Sequence, residues 1–164
     1  MAGASLRPLA AAAGTSDRML LYYFADKDEL LAVTLERIAG RLRNALDAAL
    51  PVGVRLPYAA LLNALWSAVG SPGLAPYMHL WLELAAGAAR GREPERTVAG
   101  AILEGFVTWV GDHLEAERQA GGDRAALLLT TLEGLLLLDA VGRRDLAEAA
   151  RGIASSEPRP GRGR

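Results

Sequence analysis

An all-α fold is what this sequence predicts, and three features predict it. Alanine, leucine, arginine and glutamate dominate while valine and isoleucine are sparse, a composition that favours helix by intrinsic propensity. No alternating apolar and polar run long enough for a strand is present. Proline and glycine divide the chain into stretches of helical periodicity, which predicts helices over 5–13, 16–24, 27–49, 57–70, 73–89, 95–119, 123–141 and 144–155.

The first three helices have local reasons to start and stop. Ser5 can cap the first, and Pro8 falls within its first turn, where a missing N–H costs little. Gly14 supplies the stop. Ser16 can cap the second helix and Asp26 the third, with Glu29 placed to reach back in a capping box. On the second helix, Leu20 and Phe24 are four apart and point inward with Leu9 and Ala13, while Asp17, Arg18, Leu21 and Tyr22 form the opposite face. Two short helices joined through Gly14-Thr15 fit a helix-turn-helix, whose second helix enters a DNA major groove. They equally fit a helical hairpin inside an all-α core.

The third helix, 27–49, extends to about 35 Å at 1.5 Å per residue. Beyond it, Tyr77, Trp81, Leu84 and Ala88 form one apolar stripe, and Ile102, Phe106, Trp109 and His113 another. Core packing accounts for both. The sharper reading is a mostly apolar cavity lined by Trp66, Met78, Trp81, Phe106 and Trp109, with His113 as a polar contact. His79, Glu83 and Arg90 read as a solvated stripe. Residues 123–141 carry leucines nearly all round the helix, which demands cover on more than one side. Either the helix is buried at the centre of a monomer, or a twin subunit supplies the second cover, with Gly134 allowing close approach. Residues 156–164, rich in proline, glycine and arginine, read as a loose tail.

Composition narrows the function. The formal net charge is −1, so any nucleic-acid binding must come from a local patch. There is no cysteine, which removes disulfide and thiolate chemistry and suits a reducing cytoplasm. The start lacks a signal-peptide pattern, and the greasiest stretch, Ala125 to Val141, is too short and too charged to span a bilayer. Neither a phosphate loop, a nucleophile elbow nor metal-ligand spacing is present, and the two histidines lie far apart. No enzyme, no metal and no cofactor is therefore expected.

Residues 5–30, SLRPLAAAAGTSDRMLLYYFADKDEL, resemble the DNA-binding segment of the tetracycline-repressor (TetR) family of transcriptional regulators. Ser5, Leu9-Ala10, Ala13-Gly14, Ser16, Leu20, Tyr22, Phe24, Lys27 and Leu30 carry the resemblance in register. The resemblance implies that Arg7 reaches a base edge or phosphate, that Arg18 donates to a guanine, and that Tyr22 meets bases or backbone. Tyr23 takes the place of the family's histidine at a phosphate. Lys27, with the start of its helix, implies another phosphate contact. Three departures stand out. Leu21 replaces a phosphate-binding tyrosine. Asp17 is acidic where the groove is negative, able to accept from a cytosine amine but better suited to helix capping. The family's DNA-binding domain also opens with a further helix ahead of Ser5, where this chain offers four residues, spanning only about 14 Å when extended. Weak order over the first 24 residues and poor DNA affinity are the expectation.

The implied organisation is a helix-turn-helix segment over 1–26, a ligand-binding and dimerisation domain over 27–155, and the tail 156–164. The dimer surface is expected over 123–155, with Leu128, Leu132, Gly134, Leu135 and Leu138 at its centre. The functional expectation is a cytoplasmic homodimeric repressor that binds palindromic double-stranded DNA, answers to a small apolar effector and does not engage membranes. The alternative is a ligand-binding and dimerisation module without DNA binding of its own.

Overall fold

The computed structural model describes residues 10–11, 14–50, 53–115 and 121–156. Its helices are α1 (Asp17–Tyr23), α2 (Lys27–Ala49), α3 (Tyr58–Val69), α4 (Ala75–Ala89), α5 (Glu95–His113), α6 (Gly121–Ala140) and α7 (Arg144–Ser155). The protein is all-α, and among the described residues the only strand-like pairing is an isolated bridge between Leu56 and Leu114.

Local chemistry sets the first boundaries. Ala10 and Ala11 are helical, and Gly14 has a φ of 66°, in the left-handed region. The Thr15 N–H donates to Ala10 O at 2.9 Å and the Gly14 N–H to Ala11 O at 3.1 Å, the paired bonds of a Schellman stop. Ser16 accepts from the Met19 N–H at 3.3 Å and Asp26 from the Glu29 N–H at 2.8 Å. Glu29 reaches back as a capping box requires, but its carboxylate takes the Ala25 N–H rather than that of Asp26.

Long-range packing shapes the rest. Leu35, Ala39, Leu42 and Leu46 give α2 a single buried stripe at alternating spacings of four and three. Helices α3 and α6 lie deepest, with Leu61, Leu62 and Leu128 fully buried; each such side chain contributes about 1.5–3 kcal/mol. One apolar cluster gathers the end of α2 with α3, α6 and parts of α4, α5 and α7; a second gathers Leu35, Ala39, Leu84, Val98, Ala99 and Ile102. Phe106 packs against both.

The fifth helix is shorter than expected. Rather than running to 119, α5 stops at His113, and Leu114 turns out to pair with the loop before α3. The Leu56 N–H donates to His113 O at 2.8 Å and the Glu115 N–H to Leu56 O at 2.9 Å. Backbone groups that helix would have satisfied are satisfied across the loop instead. A polar clasp holds the same region: Asp47 of α2 accepts the Trp109 indole N–H at 2.7 Å and lies 3.3 Å from His113 Nε2. Residues 116–120 and the tail from 157 lie outside the described residues.

Candidate DNA-contact helix and effector cavity

Helix α1 stands on the turn at Gly14-Thr15 and presents a face to solvent. Arg18 is exposed, and Tyr22 and Tyr23 keep 79% and 69% of their surface open, with their rings edge to face at 5.2 Å. Met19 and Leu21 are exposed as well. Leu20 and Phe24 are half-buried and Ala10 is buried, while Leu9 and Ala13, expected to share their inward face, lie outside the described residues. Lys27, half-buried, opens α2 beside this face. Arg7, Ser5 and the side chain of Asp17 lie outside the described residues. Large aromatic and apolar side chains left open on a seven-residue helix need a partner surface to account for them.

The electrostatics of this face are modest. Arg18 and Lys27 stand among Asp26, Asp28 and Glu29 in the same short stretch. Asp26 and Glu29 spend oxygens on backbone N–H groups, which places them at the start of α2, where negative charge is favoured by the helix dipole.

The second feature is a cavity of about 70 Å³ between α2, α4, α5 and α6, several times the space one water needs. Met78, Trp81, Phe106 and Trp109 are among its lining residues. Trp66 and His113 are not. Trp66 sits one position round α3 from the cavity-facing Leu65, and its indole N–H donates to Glu148 of α7 at 2.9 Å. The His113 ring stacks on Trp109 at 4.1 Å, with Nδ1 2.8 Å from Trp109 O and Nε2 toward Asp47. These partners hold it away from the cavity.

Sequence reasoning missed Glu133 and the long helix. Leu35, Leu42 and Leu46 of α2 form one wall, and Glu133 of α6 contributes the sole carboxylate. Glu133 accepts the Trp81 indole N–H at 2.7 Å. Burial pushes its pKa above the ordinary value, opposed by that hydrogen bond. The signal was there to read, since Leu129, Leu132, Glu133 and Leu136 share one helical face.

The expected pairing surface needs correction in detail. Leu128, Leu132 and Leu135 are at most 6% exposed and belong to the chain's own core. Leu138 is half-buried against that core. They are already covered. The open face of α6 carries Leu127, Gly134 and Leu137 instead, continued by Val141 just past its end, and α7 adds Leu146 and Ile153. Opposite that face, Glu148 ties α7 down: it accepts from Trp66 and Arg151, while Arg144 lies 5.3 Å over the Trp66 ring.

A short solvent-facing helix set on a tight turn, with Leu20 and Phe24 half-buried beneath it and a long helix behind it, fits the second helix of a helix-turn-helix. Residues 1–34 match the sequence model of the bacterial regulatory proteins of the tetR family. The match supports a TetR-family regulator, and at the level of that family these are DNA-binding transcriptional regulators rather than enzymes. No curated protein and no solved structure matches the chain significantly. Among the described residues no helix is long and apolar enough to cross a membrane, and no group of side chains is arranged to hold a metal ion.

Proposed function

We propose that the chain is a ligand-responsive, cytoplasmic repressor that works as a homodimer on a palindromic operator. One observation carries this reading: α2 begins at the exposed Arg18, Tyr22 and Tyr23 face and continues as a wall of the apolar cavity. An effector filling the cavity bears directly on the helix that supports the DNA-contact face. Coupling then arises because the effector favours one setting of α2 over the other. In this reading residues 1–26 contact DNA and 27–155 bind effector and partner. Arg18 reads a base edge, Tyr22 meets bases or backbone, and Tyr23 and Lys27 hold phosphates, with Arg7 and Asp17 completing the contact surface. The recognition helices of two copies sit about 34 Å apart. The pairing surface is the open face of α6 and α7.

The second reading, an effector-binding and pairing module without DNA affinity of its own, is favoured by the sparse positive charge beside Arg18 and Lys27. Fluorescence anisotropy with duplex fragments, run across a salt series, separates the two. The repressor reading expects affinity that falls linearly on a log–log salt plot, with the slope reduced by about one when Lys27 becomes Ala. It expects a weakening of about 1–3 kcal/mol for Arg18→Ala. Absence of binding at every salt concentration, against genomic fragments as well as candidate palindromes, leaves only the module.

A further inference from the structure

The cavity has a chemical preference of its own. Its lining is almost wholly aliphatic and aromatic, and no lysine, arginine or histidine is among the lining side chains. Glu133 is the one acid in it. Oε2 accepts from Trp81 Nε1 at 2.7 Å, whereas Oε1 has no hydrogen-bond partner among the described residues and stays accessible. No lysine, arginine or histidine among the described residues pairs with this carboxylate either. Elsewhere in the fold the partly buried acids are treated differently: Glu95 has Arg92 at 3.5 Å and Glu148 has Arg151 at 2.7 Å. Glu133 alone of these three is left without a cation.

We propose that the cavity selects small, mostly apolar molecules bearing one protonated amine, and that the free oxygen of Glu133 is the group that recognises the ammonium. The proposal rests on the reading of the cavity as an effector site and adds the class of effector. A carboxylate withdrawn from water without a cationic partner carries a desolvation cost. An ammonium offsets it with charge and with N–H donors at once. Burial raises the proton affinity of Glu133, and the Trp81 hydrogen bond only partly opposes it. Trp81 also lines the space, and aromatic rings attract cations; Phe106, a further lining residue, already carries the Arg43 guanidinium over its ring at 5.7 Å. A neutral molecule of the same shape gains only the apolar part. An anion meets like charge.

The competing role for Glu133 is structural, as the acceptor that orients the Trp81 indole. A matched trio separates them: 2-phenylethylamine, 2-phenylethanol and phenylacetate share a ring and differ in charge. Binding is followed on the full chain by intrinsic fluorescence, since two of its three tryptophans line the cavity, with calorimetry as the second readout. The amine is expected to bind at least about tenfold more tightly than the alcohol, and phenylacetate most weakly. Glu133→Gln keeps an acceptor for Trp81, and a cooperative melt at or above the native midpoint, the direction expected when a buried charge is removed, shows that the fold is kept. In that variant the amine's advantage over the alcohol is expected to vanish while the alcohol binds as before. Equal binding of amine and alcohol to the native protein overturns the proposal and leaves the effector cavity standing. Equal losses of amine and alcohol in Glu133→Gln overturn it as well, in favour of the structural role. Failure of all three ligands removes the effector reading of the cavity, and the proposal with it.

Discussion

The two ends of α2 are built on different principles. Its start is fixed by neighbours in sequence: Asp26 and Glu29 spend their carboxylates on adjacent N–H groups, and the residues before them leave Tyr22 and Tyr23 open. Its later turns are fixed by distant residues, through the buried stripe Leu35, Ala39, Leu42 and Leu46 and through Asp47, which meets Trp109 and His113 from α5. Local capping contributes on the order of 1 kcal/mol per cap, whereas the buried stripe contributes that much or more at each position. The end beside α1, proposed to meet DNA, is thus the less firmly held. One rigid rod joins a loosely seated end to a firmly seated one.

The largest test of that contrast compares two leucines. Leu128 is fully buried in the core and Leu21 is half exposed on α1. Leu128→Ala is expected to cost about 2–5 kcal/mol in urea unfolding, from lost transfer and a residual cavity. Leu21→Ala is expected to stay within about 0.5 kcal/mol. Comparable losses at both sites would mean that α1 is as tightly integrated as the body, and the contrast would fail.

A second test concerns association. Leu137 on α6 is 57% exposed, Val141 just past the end of that helix 63%, and Ile153 on α7 73%. A glutamate at Leu137 is expected to shift the sedimentation of the protein from dimer to monomer at micromolar concentration, since a charge at a desolvated contact is left unpaired. The melting midpoint of the dissociated chain should change little, because Leu137 lies outside the monomer core. If Leu137→Glu sediments as the native chain does, the pairing surface lies elsewhere.

The third and smaller effect belongs to the caps. Asp26→Ala removes the acceptor for the Glu29 N–H and is expected to cost about 1 kcal/mol. Its signature is local: hydrogen exchange should accelerate in α1 and the first turns of α2 while amides near Leu61 keep their protection. Uniform acceleration would show that the two ends of α2 unfold as one unit.

The same division explains what could be read in advance. Caps, stops and the two faces of α1 depend on residues within a few positions of one another, so Gly14, Ser16, Asp26 and the Leu20–Phe24 face were legible. The span of α2 was legible too, because its cap and its stripe agree. What was not legible depends on partners far along the chain. Trp66 and Trp109 are alike as residues and both lie on apolar stripes, yet Glu148 draws one indole toward α7 while Asp47 takes the N–H of the other. The leucines of α6 posed the same problem. Composition says that the helix is covered on several sides, but only the packing of α3, α5 and α7 decides that Leu128, Leu132 and Leu135 face inward and Leu127 and Leu137 outward. The end of α5 at His113 was hidden for a related reason, since Leu56 supplies its stop from a loop more than fifty residues away.

Glu133 and Glu148 provide the finest test, because each accepts one tryptophan N–H, at 2.7 Å and 2.9 Å, in opposite surroundings. At Glu133 burial outweighs the hydrogen bond, and the pKa lies above the ordinary 4.5. At Glu148 the Trp66 N–H comes first and Arg151 second, and the pKa lies below it. The signs follow from proton binding in the two states. Between 4.5 and the raised value, folded Glu133 holds more protons than the unfolded chain does, so its contribution to stability declines as pH rises through that window. Between the lowered value and 4.5, folded Glu148 holds fewer, so its contribution is present above 4.5 and is lost as pH falls. Glu133→Gln is therefore expected to flatten the stability profile above 4.5, and Glu148→Gln to flatten it below, both measured by urea unfolding at matched ionic strength. Glu148 is only partly buried and Glu133 is more deeply so, so salt should shrink the effect of Glu148 while the slope from Glu133 should persist. Identical slopes for the two variants would mean that an indole partner, and not the surrounding dielectric, governs both carboxylates.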